Sequence, residues 1–258
     1  PRRSLDVLVG LIFGLVAGVG LAFLLDYLDN TLRTPDDVRR HLTAPVLTVI
    51  PESDVKKGQP GLLLIGGPQQ GPFFEGYRLL RTALSYSWPE QRPRVLAVTS
   101  TAPGEGKTLT SVNLALTLAL MDTRVLLVDC DLRKSQVHSV LRTKRVPGLS
   151  DILVGKAKPS EAIQRVAGTN LSFLAAGRSV PSPADLLTVQ ALRGLVEGLR
   201  GLYNWIVIDT PPVAAVADAL IVCQIIDGAI VVAGAEMVPT KAVRQTLERV
   251  GEAGARIL

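Results

Sequence analysis

A glycine-bearing loop that ends in Gly106-Lys107-Thr108 carries the clearest chemical signal of this sequence. An apolar run at residues 95–98, typical of a buried strand, precedes the loop, and a helical pattern at 109–120 follows it. Strand, glycine-bearing loop, Gly-Lys-Thr and helix in this order are typical of a phosphate-binding P-loop. Glycines let successive N–H groups point at phosphate oxygens, and the helix N-terminus adds partial positive charge. The alternative is a chance Gly-Lys-Thr in a turn, but the strand and the helix both lie where the motif requires them.

The residues of this loop have different expected roles. Lys107 would reach the β- and γ-phosphates of a nucleotide, and the Thr108 hydroxyl would ligate Mg²⁺. Thr101 stands where the usual motif has its first glycine. The predicted nucleotide-binding set is the loop with the first residues of the helix: Thr101, Ala102, Pro103, Gly104, Glu105, Gly106, Lys107, Thr108 and Leu109.

Three aspartates stand at the ends of two further strand patterns. Asp129 and Asp131 follow one strand, and Asp209 follows another. In an open parallel sheet this edge binds ligands, beside the P-loop. One carboxylate would hold Mg²⁺, directly or through water, and a second could take a proton from an attacking hydroxyl. A lone aspartate at a strand end is often a cap or turn residue, as we expect for Asp218 and Asp227, but three beside a P-loop are a stronger signal.

Apolar strands alternate with helices over the larger part of the chain. The predicted strands are 95–98, 124–128, 171–174, 205–208 and 229–232, and the predicted helices are 73–86, 109–120, 184–199 and 241–251. This alternation predicts an α/β fold with a mainly parallel sheet and helices on both faces. An apolar content of 47% with only 4% aromatic residues agrees with it.

An uncharged stretch of 19 residues, 7–25, lies near the start of the chain between Asp6 and Asp26. As a helix it would span about 28 Å, close to the hydrocarbon thickness of a bilayer. A secretory signal is one alternative, but no cleavage-like stretch follows. A buried core helix is another, and the unbroken apolar character argues against it. The stretch therefore predicts one transmembrane helix before the α/β domain.

We expect three segments in the chain. Residues 1–30 would form a periplasmic stub and the transmembrane helix, 31–71 a juxtamembrane segment and linker, and 72–258 the P-loop domain. The chain starts without Met, and Arg256-Ile257-Leu258 looks like the opening of another strand. We therefore expect a fragment of a longer protein, with the last domain truncated at its C-terminus.

The net charge and the cysteine content say less about function than the motifs do. The net charge of +5 is compatible with work near anionic lipid and nucleotide but proves neither. Cys130 and Cys223 both lie in apolar strand-like stretches, which predicts two buried thiols in a reducing compartment. The spacing of the cysteines excludes a zinc site of the usual kind.

The loop also separates two kinds of P-loop protein. The partition and cell-division ATPases resemble this chain in their strand, loop and helix, so that the fold resembles their type of P-loop NTPase. They carry a second lysine five residues before the main one, where this sequence has Ala102. This position argues against a partition-type ATPase, which stays as a weaker alternative.

Four motifs in this order resemble those of bacterial tyrosine kinases. The P-loop Pro103-Gly104-Glu105-Gly106-Lys107-Thr108 is similar to theirs and also lacks the early lysine. Asp129-Cys130-Asp131-Leu132-Arg133 resembles their D-x-D-x-R motif, and Asp209-Thr210-Pro211-Pro212 resembles the end of their Walker B motif. Glu75-Gly76-Tyr77-Arg78-Leu79-Leu80-Arg81 matches their E-x-x-R-x-x-R segment. The apolar stretch followed by Tyr27-Leu28-Asp29-Asn30-Thr31 resembles the last transmembrane helix of their polysaccharide co-polymerase part.

The resemblance implies ATP and Mg²⁺ as cofactors and assigns roles to single residues. The implied catalytic residues are Lys107, Asp129, Asp131 and Asp209. Thr108, Asp131 and Asp209 would hold the metal, while Asp129 would activate the tyrosine hydroxyl, although Asp131 is the alternative for that role. Arg133 would brace the site or form a surface salt bridge.

In this family the E-x-x-R-x-x-R helix joins neighbouring kinase domains into a ring. The resemblance therefore implies a homo-oligomer interface at Glu75, Arg78 and Arg81, with a solvated helix face as the alternative.

The family phosphorylates a C-terminal tyrosine cluster, and none of the four tyrosines here forms such a tail. We expect Tyr77 and Tyr86 to pack on their helix.

The function implied is an ATP-dependent protein-tyrosine autokinase that regulates capsular or exopolysaccharide polymerisation and export. The implied location is the bacterial inner membrane with the kinase domain in the cytoplasm. The implied partners are other copies of the chain, the polysaccharide export machinery and a tyrosine phosphatase, and no nucleic acid is expected. The main alternative is a non-kinase, ATP-bound assembly switch that sets polysaccharide chain length. A tyrosine-rich stretch beyond Leu258 would favour the kinase.

Overall fold

The protein is seen here in a computed structural model that describes residues 10–21, 30–52, 71–87, 94–121 and 123–258. A six-stranded sheet of order β3-β4-β2-β5-β1-β6 organises the described residues. Its strands are β1 Arg94–Ser100, β2 Val125–Asp129, β3 Ile163–Arg165, β4 Leu171–Leu174, β5 Trp205–Asp209 and β6 Gly228–Val232. All neighbouring strands run parallel except β3 and β4, which confirms the mainly parallel sheet. The short edge strand β3 was not predicted, because three residues carry too little of a period-two pattern.

Helices surround these strands. Besides the helical residues 10–21, they are α1 Pro35–His41, α2 Pro72–Ser87, α3 Lys107–Ala119, α4 Val137–Val140, α5 Leu149–Leu153, α6 Pro159–Ala162, α7 Pro183–Leu186, α8 Val189–Arg200, α9 Asp218–Cys223 and α10 Thr240–Glu252. The predicted helix 184–199 is wrong as one element, since it divides into α7 and α8. Thr188 adopts an extended backbone there and caps α8 by accepting a hydrogen bond from the N–H of Ala191.

Helices cover both faces of the sheet, as predicted. Successive residues of β1 alternate between two cores, with Leu96 and Val98 in one and Val95 and Ala97 in the other. The first core also contains buried side chains of α2 and α3, and the second contains those of α8 and α9. The carboxyl ends of the four central parallel strands therefore meet at one edge, where the P-loop begins.

The predicted transmembrane stretch 7–25 falls partly outside the described residues. Its residues 10–21 are helical. Among the helices that the structure describes, none is long and apolar enough to cross a membrane. The linker predicted before the P-loop domain also lies mostly outside the described ranges, which omit 53–70.

The segment after the predicted membrane stretch packs on the end of the sheet domain. Thr34 caps α1 in a capping box with Asp37. Leu32 and Leu42 are buried against Val238 and residues of α10. Residues 30–42 are therefore part of the folded unit rather than a free connection.

The tyrosines of α2 differ from expectation. Tyr77 is buried against α3, as predicted, but Tyr86 is 84% exposed, so its predicted packing is wrong. The buried stripe of this helix contains Leu80 and Leu84. Two residues beyond Leu84 the helix has turned by about 200°, which directs Tyr86 to solvent.

Candidate active site

The P-loop lies between β1 and α3, where the motif requires it. Gly104 and Gly106 have φ angles of 94° and 92°, a left-handed region that disfavours any side chain. Gly106 is also the N-cap of α3, and its carbonyl accepts the first helical hydrogen bond from Thr110. The helix therefore begins at Lys107, two residues earlier than predicted.

Lys107 forms an ion pair with Asp131. Its Nζ lies 3.1 Å from Asp131 Oδ2, and both side chains are nearly buried. The same ammonium group lies 3.3 Å from Thr108 Oγ1. Two of the predicted catalytic residues are thus in direct contact, and the buried carboxylate neutralises the lysine within the protein.

Asp209 is held by two hydroxyl groups of the P-loop helix. Thr108 donates a 2.8 Å hydrogen bond to its Oδ2, and Ser111 donates one of 2.8 Å to its Oδ1. Burial raises the pKa of Asp209, although the charge of Lys107 opposes the rise. Ser111 was not among the predicted site residues. Its position three residues after Thr108, on the same side of a helix, is a signal that could have identified it.

Asp129 lies beside Asp209, since the two residues pair in register on β2 and β5. Strand β2 ends at Asp129, and the chain then turns, which lets both Asp129 and Asp131 reach the site. Burial and then the charge of Asp209 raise the pKa of Asp129 to about 7. A carboxylate with such a pKa can take a proton near neutral pH. Ser135 donates a 2.8 Å hydrogen bond to Asp129 Oδ2 and was also missed from sequence.

The donors at this edge suit a hard cation. Thr108, Asp131 and Asp209 offer a hydroxyl and carboxylates, the oxygen ligands that Mg²⁺ prefers. In the part of the chain that the structure describes, no group of three acidic, histidine or cysteine side chains could hold a metal. The side chains fit the usual magnesium site of nucleotide enzymes, in which one or two carboxylates act together with substrate phosphates and water.

Glu105 braces the P-loop from inside. Its buried carboxylate accepts hydrogen bonds from the N–H of Ala102 and from the N–H of Gly234, at 3.2 Å. Burial raises the pKa of Glu105, and these two N–H groups oppose the rise. The hydroxyl of Thr101 is buried and has no hydrogen-bond partner among the described residues. A bound ligand could supply the missing hydrogen-bond partner, so this hydroxyl is compatible with a ligand site at the loop.

Arg133 braces the neighbouring loop rather than the three aspartates. Its Nε and Nη2 donate hydrogen bonds of 2.8 and 3.2 Å to the buried carboxylate of Asp218. Asp218 is the first residue of α9, whose N-cap is Ala217, so Asp218 is not the cap of this helix and instead pairs with Arg133. Asp227 precedes β6 and accepts hydrogen bonds from the N–H of Val95 and from Arg200.

The predicted interface residues lie on α2, away from these contacts. Arg78 Nη1 lies 3.3 Å from Glu75 Oε2, an ion pair between neighbouring turns of one helix. Glu75 is exposed, and Arg78 and Arg81 are half-buried. The opposite side of α2 packs on the P-loop helix, which leaves this stripe directed outward.

Comparisons with known proteins agree with this geometry. Residues 93–257, more than half of the chain, match the protein family described as AAA domain. The putative tyrosine-protein kinase EpsB of Ralstonia nicotianae is 31% identical over 268 residues, which cover all of this chain and 35% of that protein. The tyrosine-protein kinase wzc of Salmonella typhimurium is 31% identical over 271 residues, which cover all of this chain and 37% of that protein. The chain thus spans little more than a third of the length of these curated relatives.

Two solved structures show which folds are similar. The kinase domain of the Escherichia coli tyrosine kinase ETK is similar with a TM-score of 0.81 and 28% identity, covering 88% of this chain and 92% of that chain. The septum site-determining protein MinD complexed with Mg-ADP, from Pyrococcus horikoshii, is similar with a TM-score of 0.57 and 28% identity, covering 64% of this chain and 68% of that one. The chain therefore belongs to the family described as AAA domain, and within it resembles the kinase domains of bacterial tyrosine kinases.

Proposed function

We propose that this chain transfers the γ-phosphoryl group of ATP to protein tyrosine, as the kinase part of a longer protein. The observation that carries the proposal is the meeting of a P-loop lysine with three buried aspartates at one sheet edge. Lys107 contacts Asp131, Thr108 contacts Asp209, and Asp129 lies next to Asp209 with a pKa near neutrality. The similarity to the kinases named above supports the same activity.

The protein's own groups would bind and orient the triphosphate. Backbone N–H groups of the loop and the start of α3 offer donors and partial positive charge to the phosphate oxygens. Lys107 would exchange its contact with Asp131 for the β- and γ-phosphates, and Asp131 would become available as a ligand. When bound, Mg²⁺ would neutralise charge on the phosphates, held by Thr108, Asp131 and Asp209.

Asp129 would act on the attacking tyrosine. Its carboxylate takes the proton of the tyrosine hydroxyl as the phenolic oxygen forms a bond to the γ-phosphorus. The bond from that phosphorus to the β–γ bridging oxygen breaks, and ADP leaves with the bond's electron pair. The products are phosphotyrosine and ADP, and the proton stays on Asp129 until it passes to water.

The setting of the reaction is part of the same proposal. We infer a bacterial inner-membrane protein with this domain in the cytoplasm, assembled with other copies of itself through Glu75, Arg78 and Arg81. Its state of phosphorylation would regulate capsular or exopolysaccharide polymerisation and export, and a tyrosine phosphatase would reset it. The supporting observations are the outward-directed stripe of α2 and the apolar stretch at 7–25.

The test is to incubate the full-length protein with γ-labelled ATP and Mg²⁺ and to identify the labelled residues. Label on tyrosine, absent from a protein that carries Asp129→Asn, supports the kinase. ATP-dependent assembly with slow hydrolysis and without any phosphotyrosine would instead support the assembly switch.

A further inference from the structure

A chain of hydrogen bonds leads from the candidate base Asp129 to the short helix α4. Ser135 Oγ donates to Asp129 Oδ2 at 2.8 Å and lies 3.2 Å from His138 Nδ1. On the other side of the imidazole, His138 Nε2 lies 3.2 Å from Ser139 Oγ. None of these three side chains belongs to the P-loop or to the predicted metal set.

The directions of these hydrogen bonds follow from the number of hydrogens available. The Ser135 hydroxyl has one hydrogen, which it gives to Asp129, so its contact with His138 requires a hydrogen on Nδ1. Nε2 is then the acceptor and receives the hydroxyl hydrogen of Ser139. Burial, and after it the charge of Arg145, lowers the pKa of His138, which agrees with a neutral imidazole.

The surrounding backbone keeps the imidazole in place. Val137, the residue before His138, is fully buried in the core beneath α3. The carbonyl of His138 accepts a 2.9 Å hydrogen bond from the N–H of Thr143. A fixed imidazole restricts the Ser135 hydroxyl to one direction, and that direction is toward Asp129.

We propose that Ser135 and His138 are positioning residues that fix the orientation of the Asp129 carboxylate for the attacking hydroxyl. The N–H of Asp131 lies 3.2 Å from Asp129 Oδ1, so Ser135 supplies the second fixed point of the carboxylate plane. Two fixed oxygens leave one free lone pair on each, which can accept the proton of the attacking hydroxyl. This inference rests on the proposed function, since it assigns Asp129 the proton of the tyrosine hydroxyl.

The test uses the full-length protein and a glutamate–tyrosine copolymer as the probe substrate. Ser135→Ala should lower kcat for tyrosine phosphorylation roughly tenfold, as expected for loss of a hydrogen bond to a charged group, with KM for ATP unchanged. Ser135→Thr keeps a hydroxyl and should retain most of the activity. His138→Phe should lower kcat, whereas His138→Asn keeps an N–H near the place of Nδ1 and should restore it.

The double variant decides whether the two residues act in series. Once Ser135→Ala is present, His138→Phe should cost little more, because His138 acts through the lost hydroxyl. Fully multiplicative losses, or parental kcat in Ser135→Ala, would overturn the inference. If the parent hydrolyses ATP but never phosphorylates tyrosine, the proposed function fails. In that case the rate of ATP hydrolysis is measured for the same variants, because Asp129 would then orient the attacking water. Hydrolysis rates equal to that of the parent would overturn the positioning role of Ser135 and His138.

Discussion

Thr108 Oγ1 donates a 2.8 Å hydrogen bond to Asp209 Oδ2, which joins the first turn of the P-loop helix to the end of β5. The contact crosses 101 positions of the sequence. It brings a phosphate-binding loop and a carboxylate within reach of the same cation. Ser111 adds a second contact from the same helix to the other oxygen of Asp209.

The first prediction concerns this contact. Thr108→Ala should lower Mg²⁺-dependent ATP turnover by about 10- to 100-fold, because it removes a hydroxyl from the metal site and from Asp209. Thr108→Ser keeps the hydroxyl and should stay close to the parent. Steady-state turnover across a Mg²⁺ titration measures the effect. Equal activity of the alanine and serine variants would exclude a metal role for the hydroxyl.

The second prediction concerns stability and pH. An aspartate in the unfolded chain has a pKa of about 3.9. In the folded protein the pKa of Asp129 is about 7. Between these values the folded state keeps a proton that the unfolded state has lost, so stability falls as pH rises through this window. Asp129→Asn removes that loss and should raise Tm relative to the parent more at pH 8 than at pH 5.

The measurement is thermal unfolding with EDTA and without nucleotide. Asp185→Asn, which makes the same change at an exposed position, is the matched control. A constant difference in Tm between Asp129→Asn and the parent from pH 5 to pH 8 would contradict the raised pKa.

The third prediction concerns the brace inside the P-loop. Glu105→Ala should weaken ATP binding by roughly five- to tenfold, because the loop loses its links to the N–H groups of Ala102 and Gly234. Glu105→Gln keeps one acceptor oxygen, so its affinity for ATP should lie between those of Glu105→Ala and the parent. Calorimetric titration with ATP is the measurement, with Glu252→Ala at an exposed position as control. Unchanged affinity in Glu105→Ala would show that the loop holds its shape without the brace.

The fourth prediction concerns assembly through α2. The part of the protein from Pro72 onward should self-associate with Mg²⁺ and nucleotide. The double variant Arg78→Ala, Arg81→Ala should stay monomeric and still bind ATP. Lys156→Ala, Lys158→Ala removes the same charge from other exposed positions and should assemble normally. Sedimentation velocity measures the association of the parent and of the two double variants. Equal association of all three proteins would show that Glu75, Arg78 and Arg81 form a solvated helix face and not an interface.

The sequence predicts the sheet, and the meeting of the candidate site residues at one of its edges, for a local reason. The strands that carry Asp129 and Asp209 are continuous apolar runs, and the P-loop requires a strand before it and a helix after it. These patterns are readable without knowing what packs where. Because each aspartate ends a parallel strand, both lie at the carboxyl edge of the sheet, where ligands bind. Their pairing in register on β2 and β5 is seen only in the structure.

The contacts that the sequence did not predict join distant segments of the chain. Glu105 was predicted as a nucleotide-binding residue of the loop, but its hydrogen bond with the N–H of Gly234 spans 129 positions and has no local signal. Asp218 reads as a cap because its partner Arg133 is 85 positions away. Ser111 and Ser135 were missed although each lies near a predicted site residue in sequence. Spacing along a helix could have suggested the first, whereas the turn that carries the second has no regular period.

The central claim is tested most directly by phosphotyrosine formation in the full-length protein with ATP and Mg²⁺. Lys107→Met removes the cation aimed at the charge that develops on the transferred phosphate, and tyrosine phosphorylation should fall by about 100-fold or more without loss of the fold. Lys156→Met, at an exposed position, should leave the rate unchanged. A Lys107→Met protein that phosphorylates tyrosine at the parental rate would contradict the account.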